Sequence, residues 1–205
     1  MGLSLLGDRW AMLIVRELMY GAKRFSELRA GLPGISANVL TQRLEELEAS
    51  RIAQRRKLPP PASSQVYELT EWGYEAEPII QQLGKWATRS PEHDPTLPLS
   101  SASMVMSLKT MIDKQRSEKM VARLGLRFGE ETFAARLAHG NFQIWRGEID
   151  AVDVTFIADP RTLAAAIYGG QPLDTLEASG ALRIEGNRGL AERFVTLFPL
   201  PPKFF

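Results

Sequence analysis

Five polar side chains recur on one side of a predicted helix, and together they have the chemistry needed to read nucleic-acid bases. The amide groups of Asn38 and Gln42 can each pair with adenine through two hydrogen bonds, and the guanidinium of Arg43 can pair with guanine in the same way. Hydroxyl groups bind phosphate or either type of base. We therefore predict a base-reading face formed by Ser36, Asn38, Thr41, Gln42 and Arg43.

The helix that carries this face is predicted from its hydrophobic periodicity, because apolar residues recur at helical spacing on the other side. These residues are Val39, Leu40, Leu44 and Leu47. A short helix is predicted upstream over residues 25–30, and residues 31–34 contain two glycines and a proline that neither helix could accommodate. Two helices joined by a glycine-containing turn, the second with a polar leading edge, predict a helix-turn-helix.

A basic hairpin, or wing, is predicted directly after this helix. Residues 52–57 have the composition of a strand, residues 58–64 that of a loop and residues 65–69 that of a returning strand. The chain carries basic but no acidic residues between Ser50 and Tyr67, which suits a hairpin that lies along phosphates. A solvated run of charge is the alternative, but the neighbouring base-reading helix favours phosphate binding. We assign phosphate contacts to Arg55, Arg56 and Lys57, with Ser63 and Ser64 as further candidates.

Further helices are predicted on both sides of this unit. An apolar stripe predicts a helix over residues 3–20, whose other side carries Arg9, Arg16 and Glu17 for solvation. A helix is predicted over residues 71–88, capped by Thr70 and broken or kinked by Pro78. Its distal half is too apolar for a lone surface helix. Burial against a second domain is one alternative, and we prefer a dimer interface because two half-sites require two copies.

Several segments of this region resemble the HxlR-type winged helix-turn-helix regulators. They are residues 6–10, 13–18, 23–28, 31–35 and 67–73. The resemblance spans roughly the first ninety residues, the scale of one small domain. It implies a bacterial or archaeal dimeric transcription factor that binds a pseudo-palindromic operator. Such regulators commonly begin further upstream with a segment that often carries a cysteine, so either the start is trimmed here or cysteine sensing is not the mechanism.

Composition limits the class of protein. The chain has 205 residues, of which 44% are hydrophobic and 24% charged, and this is ordinary for one large or two modest globular domains. The net charge of +1 does not by itself predict nucleic-acid binding. The basic charge is instead concentrated locally, in the predicted wing. The absence of cysteine excludes disulfides, thiolate metal sites and cysteine catalysis within these residues. No apolar run or targeting pattern indicates a membrane, and we expect a cytoplasmic protein.

No set of residues indicates catalysis. The sequence lacks a glycine-rich phosphate loop, a nucleophile elbow and a metal-binding helix with paired histidines. The paired acids fall at turns or on exposed strand positions, where such pairs are usually solvated. We therefore predict that the protein is not an enzyme and needs no cofactor and no metal.

A proline-rich linker separates the wing region from a second predicted domain. We assign residues 1–89 to the first domain, 90–100 to the linker and 101–205 to the second. After a helix over residues 101–116 the period changes to alternation, with turns at residues 129–131 and 139–141. Helices and one more strand follow from residue 159. This predicts an α+β fold in which an antiparallel sheet carries helices on one face.

The second domain resembles the sterol-carrier-protein type, through residues 158–163 and the run from 180 to 194. The resemblance implies an apolar cavity between sheet and helices that holds a lipid-like or aromatic molecule. Candidate ligand residues are Met104, Met111, Phe128 and Trp145, with packing in the core as the alternative. Trp145 has the opposite strand parity to Phe142 and Ile144, so either its face is covered too or the indole is exposed.

These features support the hypothesis of a homodimeric regulator that binds a double-stranded operator. A small apolar effector in the second domain would bias the placement of the two recognition helices. One alternative is a purely structural second domain. Another is a lipid-carrier module whose winged domain makes protein contacts, and the basic wing argues against it.

Overall fold

The computed structural model describes residues 1–147 and 150–204 and divides the chain into two compact units, Met1–Leu83 and Gly84–Phe205. The division lies ahead of the predicted linker over residues 90–100. Two hydrogen bonds explain why the linker belongs with the second unit. The Arg161 guanidinium donates to the carbonyl of Thr96, and the Lys203 ammonium donates to the carbonyl of Ser90 at 2.9 Å.

The first unit contains the predicted helix-turn-helix and wing. Its helices are α1 (Gly2–Leu6), α2 (Arg9–Leu18), α3 (Phe25–Gly31), α4 (Ala37–Ala49) and α5 (Glu71–Tyr74), and α6 (Glu77–Ala87) crosses the division after Leu83. Strands β1 (Ala53–Lys57) and β2 (Gln65–Leu69) pair antiparallel as the wing. The Thr70 hydroxyl accepts from the N–H of Gly73 at 3.0 Å, which confirms the predicted cap. The predicted break ahead of Pro78 is also confirmed, since it separates α5 from α6.

The helix predicted over residues 3–20 is wrong in one respect, because it is interrupted at Gly7 and Asp8. The Asp8 carboxylate starts α2 by accepting from the backbone N–H groups of Trp10 at 2.9 Å and Ala11 at 3.1 Å. A side chain in this position satisfies donors that the first helical turn leaves unpaired. Because the apolar stripe continues through α1 and α2, hydrophobic periodicity alone predicts one continuous helix.

Leucines dominate the core of the first unit. Leu28, Leu40 and Leu44 are almost completely buried, and α2 packs against both α3 and α4. The prediction that Glu17 is solvated is wrong, because its side chain is fully buried on α2. It is compensated by Lys23, whose Nζ donates to Glu17 Oε2 at 3.0 Å. A buried charge needs such a partner.

The second unit confirms the predicted α+β class. Its helices are α7 (Ser101–Met111), α8 (Lys114–Ser117), α9 (Pro160–Tyr168), α10 (Leu173–Ala178) and α11 (Arg188–Phe194). Its strands are β3 (Val121–Phe128), β4 (Glu131–Ala138), β5 (Asn141–Arg146), β6 (Val154–Ala158) and β7 (Leu182–Gly186). Across the described residues of this unit the strand order is β5, β4, β3, β6, β7.

The sheet is mixed rather than wholly antiparallel, which corrects one detail of the prediction. The β3–β4, β4–β5 and β6–β7 pairs are antiparallel, whereas β6 lies parallel to β3 with Leu124 opposite Val154. Gly129 and Gly140 have positive φ, at 60° and 76°, and form the hairpin turns. Such turns in the sequence predict the pairing of strands that follow one another along the chain. The β3–β6 pairing joins strands that are not consecutive in the sequence, so the alternation of apolar and polar residues does not predict it.

Four phenylalanines fill the space between the sheet and α11. Phe194 lies with its ring centroid 5.5 Å from Phe156, 6.1 Å from Phe142 and 4.9 Å from Phe198. Tilted and edge-on rings at such distances favour one another beyond the area they bury. The inner face of the sheet is therefore packed with aromatic side chains at this position.

Candidate nucleic-acid interface

The predicted base-reading residues are positioned by α4. Asn38, Thr41 and Gln42 are exposed along its leading edge. Ser36 stands at the N-cap, where its hydroxyl accepts from the N–H of Val39 at 3.2 Å. A Ser36 hydroxyl that starts the helix is less available for a base than the three exposed side chains.

Arg43 is held by two carboxylates instead of extending freely into solvent. Its Nη1 donates to Glu46, whereas its Nε lies 3.4 Å from Oδ1 of Asp8 as an ion pair and donates no hydrogen bond to any residue that the structure describes. The side chain is only 24% exposed as a result. Glu46 also accepts from the Gln42 amide at 3.1 Å, so one carboxylate holds two of the predicted base-reading side chains.

The wing arginines are paired with acids that flank the basic run. Arg55 Nε donates to both carboxylate oxygens of Glu48 at 2.7 Å, and Arg56 Nε donates to Glu68 at 2.9 Å. The hydrogen bond with Glu48 raises the pKa of Arg55, and that with Glu68 raises the pKa of Arg56. The same bond with Arg56 lowers the pKa of Glu68. The wing therefore carries less net positive charge than the run between Ser50 and Tyr67 suggests.

The remaining predicted phosphate-binding residues surround the wing loop. Lys57 is exposed at the end of β1, opposite Gln65 on β2. Ser63 is exposed with a φ of 37°, and the carbonyl of Ser64 accepts from the N–H of Leu58 at 2.9 Å to close the loop. The Ser64 hydroxyl is buried and makes no hydrogen bond with any residue that the structure describes.

The wing is anchored to the helices through Lys23, a feature that sequence patterns did not predict. The N–H of Lys23 donates to the carbonyl of Tyr67 at 2.9 Å, and the N–H of Tyr67 donates to the carbonyl of Lys23 at 2.8 Å. Because the side chain of Lys23 binds the buried carboxylate of Glu17, the returning strand β2 is connected to α2. The signal in the sequence is a lysine shortly after a glutamate on a largely apolar helix.

The structure does not bring the four candidate ligand residues together. Met104, Met111 and Phe128 are buried, whereas Trp145 is 48% exposed. Trp145 pairs with Ala134, which pairs with Gly125, so the indole lies on the face of the sheet opposite Phe128. A cleft of about 410 Å³ lies elsewhere in the unit and is lined by residues of α9, α10 and α11 and by Arg116 and Phe198.

The described residues contain neither a metal-binding cluster nor a helix that could span a membrane. Over residues 1–147 and 150–204, His, Asp and Glu side chains form no group of three that could hold a metal ion. None of the helices in those ranges is both long and apolar enough to cross a membrane.

Comparison with known proteins identifies both halves of the chain. Residues 5–95 match the HxlR-like helix-turn-helix family and residues 108–199 match the SCP-2 sterol transfer family. The chain is 41% identical over 85 residues to the Bacillus subtilis (strain 168) protein named uncharacterized HTH-type transcriptional regulator YvaP, a match that covers 42% of this chain and 79% of YvaP.

A second relative agrees with this match, and one solved structure is also similar in sequence. The HTH-type transcriptional regulator YodB of the same organism is 43% identical over 84 residues, covering 41% of this chain and 75% of YodB. The structure of the reduced form of YodB is 40% identical, covers 45% of this chain and 92% of that one, and has a TM-score of 0.42. The chain therefore belongs to the HxlR-like helix-turn-helix family of transcriptional regulators and carries a second domain of the SCP-2 sterol transfer family.

Proposed function

We propose that this protein binds a specific DNA operator by inserting α4 into the major groove while the wing contacts phosphates. The observation that carries the proposal is that the exposed polar edge of α4 and the basic hairpin belong to one compact unit. The major groove admits an α-helix and displays a distinct hydrogen-bonding pattern for each base pair. Asn38, Thr41, Gln42 and Arg43 supply the matching donors and acceptors.

The ion pairs of the wing do not prevent such binding. Exposed ion pairs such as Arg55 with Glu48 and Arg56 with Glu68 contribute little, because water and salt screen them. Binding to DNA exchanges a carboxylate for a phosphate and releases counterions, which changes affinity by roughly 10³ to 10⁵ between 50 and 200 mM salt for six to ten phosphate contacts. Counterion release therefore outweighs the loss of the ion pairs, and Lys57 is already exposed at the same edge.

The protein acts as a homodimer in this proposal. Ile79, Leu83 and Trp86 follow one another at helical spacing on α6 and are 58%, 43% and 71% exposed. Exposed apolar stripes of this kind mark association surfaces. Two copies related by a two-fold axis would present two α4 helices to half-sites about one helical turn apart, which predicts a pseudo-palindromic operator.

Selection from a library of randomised duplexes tests the proposed function. The full chain should enrich one pseudo-palindromic sequence and bind it more tightly than unselected duplex, with affinity that falls as salt rises. Failure to enrich any sequence, together with absent binding to duplex at about 50 mM salt, would contradict it. That result would favour the alternative in which the winged domain contacts protein.

We also propose that the second unit receives a small apolar effector at the cleft beside α11. The cleft volume of about 410 Å³ is in the range of ligand sites, and Leu173, Val195 and Phe198 contribute apolar surface. Charged side chains also line it: Arg116, Asp174, Arg188 and Glu192. YodB has been solved in a quinone-bound and a diamide-treated form, and HypR is described as a redox regulator. None of the 205 residues here is a cysteine, so thiol chemistry within them cannot supply the signal.

Native mass spectrometry of the protein purified from its own host tests the effector. A dimer that carries one small apolar molecule per subunit would support it and would identify the compound to titrate against operator binding. A dimer with no added mass would contradict it. The phenylalanine cluster around Phe194 would then favour a structural second domain.

A further inference from the structure

We infer that Asp8 is a positioning residue that orients the guanidinium of Arg43 towards DNA. This inference rests on the proposed DNA-binding function and adds to it a residue outside the helix-turn-helix. Asp8 precedes α2, yet its Oδ1 lies 3.4 Å from Nε of Arg43 on α4. The two residues are distant in the sequence and meet only because α2 packs against α4.

The carboxylate of Asp8 is itself firmly placed. Its Oδ1 accepts hydrogen bonds from the N–H groups of Trp10 and Ala11, which belong to the first turn of α2. Gly34 lies in the turn before α4, and a Cβ placed on this glycine would be 3.9 Å from the indole of Trp10. The start of α2 therefore lies beside the turn as well as beside the recognition helix.

The position of Nε beside Asp8 decides which edge of the guanidinium remains for a base. The group has five N–H donors in a planar fork, and a guanine contact uses two of them side by side. Nε lies 3.4 Å from Oδ1 of Asp8 as an ion pair but donates no hydrogen bond to any residue that the structure describes. The attraction of that carboxylate keeps the Nε side of the guanidinium beside Asp8 and leaves the edge formed by Nη1 and Nη2 for a base. The orientation exists before DNA binds, so less conformational freedom is lost on binding than for an unrestrained arginine.

Glu46 has a different part in this arrangement. It accepts from Nη1 of Arg43, on the edge that a guanine would occupy, and from the amide of Gln42. A base must displace Glu46 to bind Arg43, whereas Asp8 can stay in place. Removing the Glu46 charge should therefore increase DNA affinity, and removing the Asp8 charge should reduce the discrimination between base pairs.

The substitution Asp8→Asn isolates the positioning role, because Asn is as good an N-cap as Asp but carries no charge. Asp113→Asn is the matched control. Asp113 caps α8 through the N–H groups of Gln115 at 2.9 Å and Arg116 at 3.1 Å and pairs with the Arg116 guanidinium at 3.6 Å, but it lies in the second unit. Affinities would be measured for the duplex selected by the wild-type protein, for its single-base-pair variants and for random duplex.

Asp8→Asn should reduce the preference for the selected base pair at one or two positions of each half-site by about tenfold. The reduction is a ratio of two affinities, so the general effect of removing a negative charge near DNA cancels. Asp113→Asn should retain the wild-type preferences, and both variants should unfold at similar temperatures. In an Arg43→Ala background, Asp8→Asn should change no preference further.

Three outcomes would overturn the inference. The first is an Asp8→Asn protein that discriminates like the wild type at every position. The second is an equal loss on selected and random duplexes, which would assign Asp8 to stability alone. The third is an undiminished effect of Asp8→Asn when Arg43 is absent. Failure of the proposed function would be distinct, because the wild-type protein itself would then select no sequence.

Discussion

Lys23 Nζ donates a hydrogen bond to Oε2 of Glu17 at 3.0 Å, and both side chains are almost completely buried. The other carboxylate oxygen accepts from Nη2 of Arg16 at 3.2 Å. Because the backbone of Lys23 also pairs with Tyr67 on β2, this cluster connects α2 to the wing. The relative placement of the helix-turn-helix and its basic hairpin depends on a buried charge and the groups that compensate it.

Replacement of Glu17 by alanine should destabilise the first unit by about 3–5 kcal/mol, since the ammonium of Lys23 would remain buried without this carboxylate. The free energy of unfolding would be measured by denaturant titration of the full chain. Glu185→Ala removes the exposed pair with Arg183 and should cost no more than about 1 kcal/mol. Similar small losses for both variants would contradict the role of the buried pair.

Two glycines should respond to alanine in opposite directions. A Cβ on Gly31 would lie 2.8 Å from Oε2 of Glu17, and that oxygen is fixed by Lys23, so Gly31→Ala should destabilise by about 1–3 kcal/mol. Gly84 lies within α6 with nothing inside 4 Å of its Cβ position, so Gly84→Ala should stabilise by about 0.5–1 kcal/mol. Thermal unfolding of the two variants tests both signs. An unchanged stability for Gly31→Ala would show that the side chains of Glu17 and Lys23 can shift to make room for the added methyl group.

Arg43→Ala and Arg56→Ala should weaken DNA binding in different ways. Arg43→Ala should lose about 1–3 kcal/mol of discrimination at particular base pairs, because Arg43 is proposed to read a base. Arg56→Ala should weaken all duplexes alike and reduce the magnitude of the salt slope by about 1, because Arg56 is proposed to contact a phosphate. Titration of selected and random duplexes at several salt concentrations separates them. Equal losses on both duplexes for both variants would refute these roles.

Alkaline pH should destabilise the second unit through Tyr168. Burial raises the pKa of its phenol from 10.0 to about 12, and the hydroxyl pairs with that of Ser107 at 2.6 Å. Between those two pKa values the unfolded chain holds fewer protons than the folded one. The contribution is therefore complete below pH 10 and is lost as pH rises through 12.

Tyr168→Phe should remove this part of the pH dependence and cost about 0.5–1.5 kcal/mol at pH 8 through the lost hydrogen bond. Unfolding free energies at pH 8 and above pH 10 would be compared for the two proteins. Burial also raises the pKa of Tyr20 in the first unit, so some alkaline destabilisation should persist in the variant. An identical slope for wild type and Tyr168→Phe would contradict the assignment.

A charge on the exposed stripe of α6 should separate the proposed dimer. Leu83→Glu and Trp86→Glu place a carboxylate on that stripe, and analytical ultracentrifugation should then detect monomers with weakened operator binding. Val121→Glu is the control, because Val121 is also exposed and apolar but lies on β3. Variants of α6 that remain dimeric would locate the interface elsewhere.

Local sequence patterns were sufficient to predict α4, the wing strands and the Thr70 cap, because each depends on residues a few positions apart. The partners of charged residues were not predictable in this way. Asp8 meets Arg43, and Glu48 meets Arg55, only after separate elements pack or pair. Glu17 was misjudged because a charged residue on an amphipathic helix is normally solvated, and its burial depends on Lys23.

Fluorescence anisotropy of the full chain with a selected duplex and a scrambled one, from about 50 to 200 mM salt, tests the central claim most directly. We expect the selected duplex to bind at least about 10³-fold more tightly, and the logarithm of affinity to fall linearly with the logarithm of salt for both. Equal affinity for the two duplexes, or binding that does not respond to salt, would contradict an operator-binding protein with a phosphate-contacting wing.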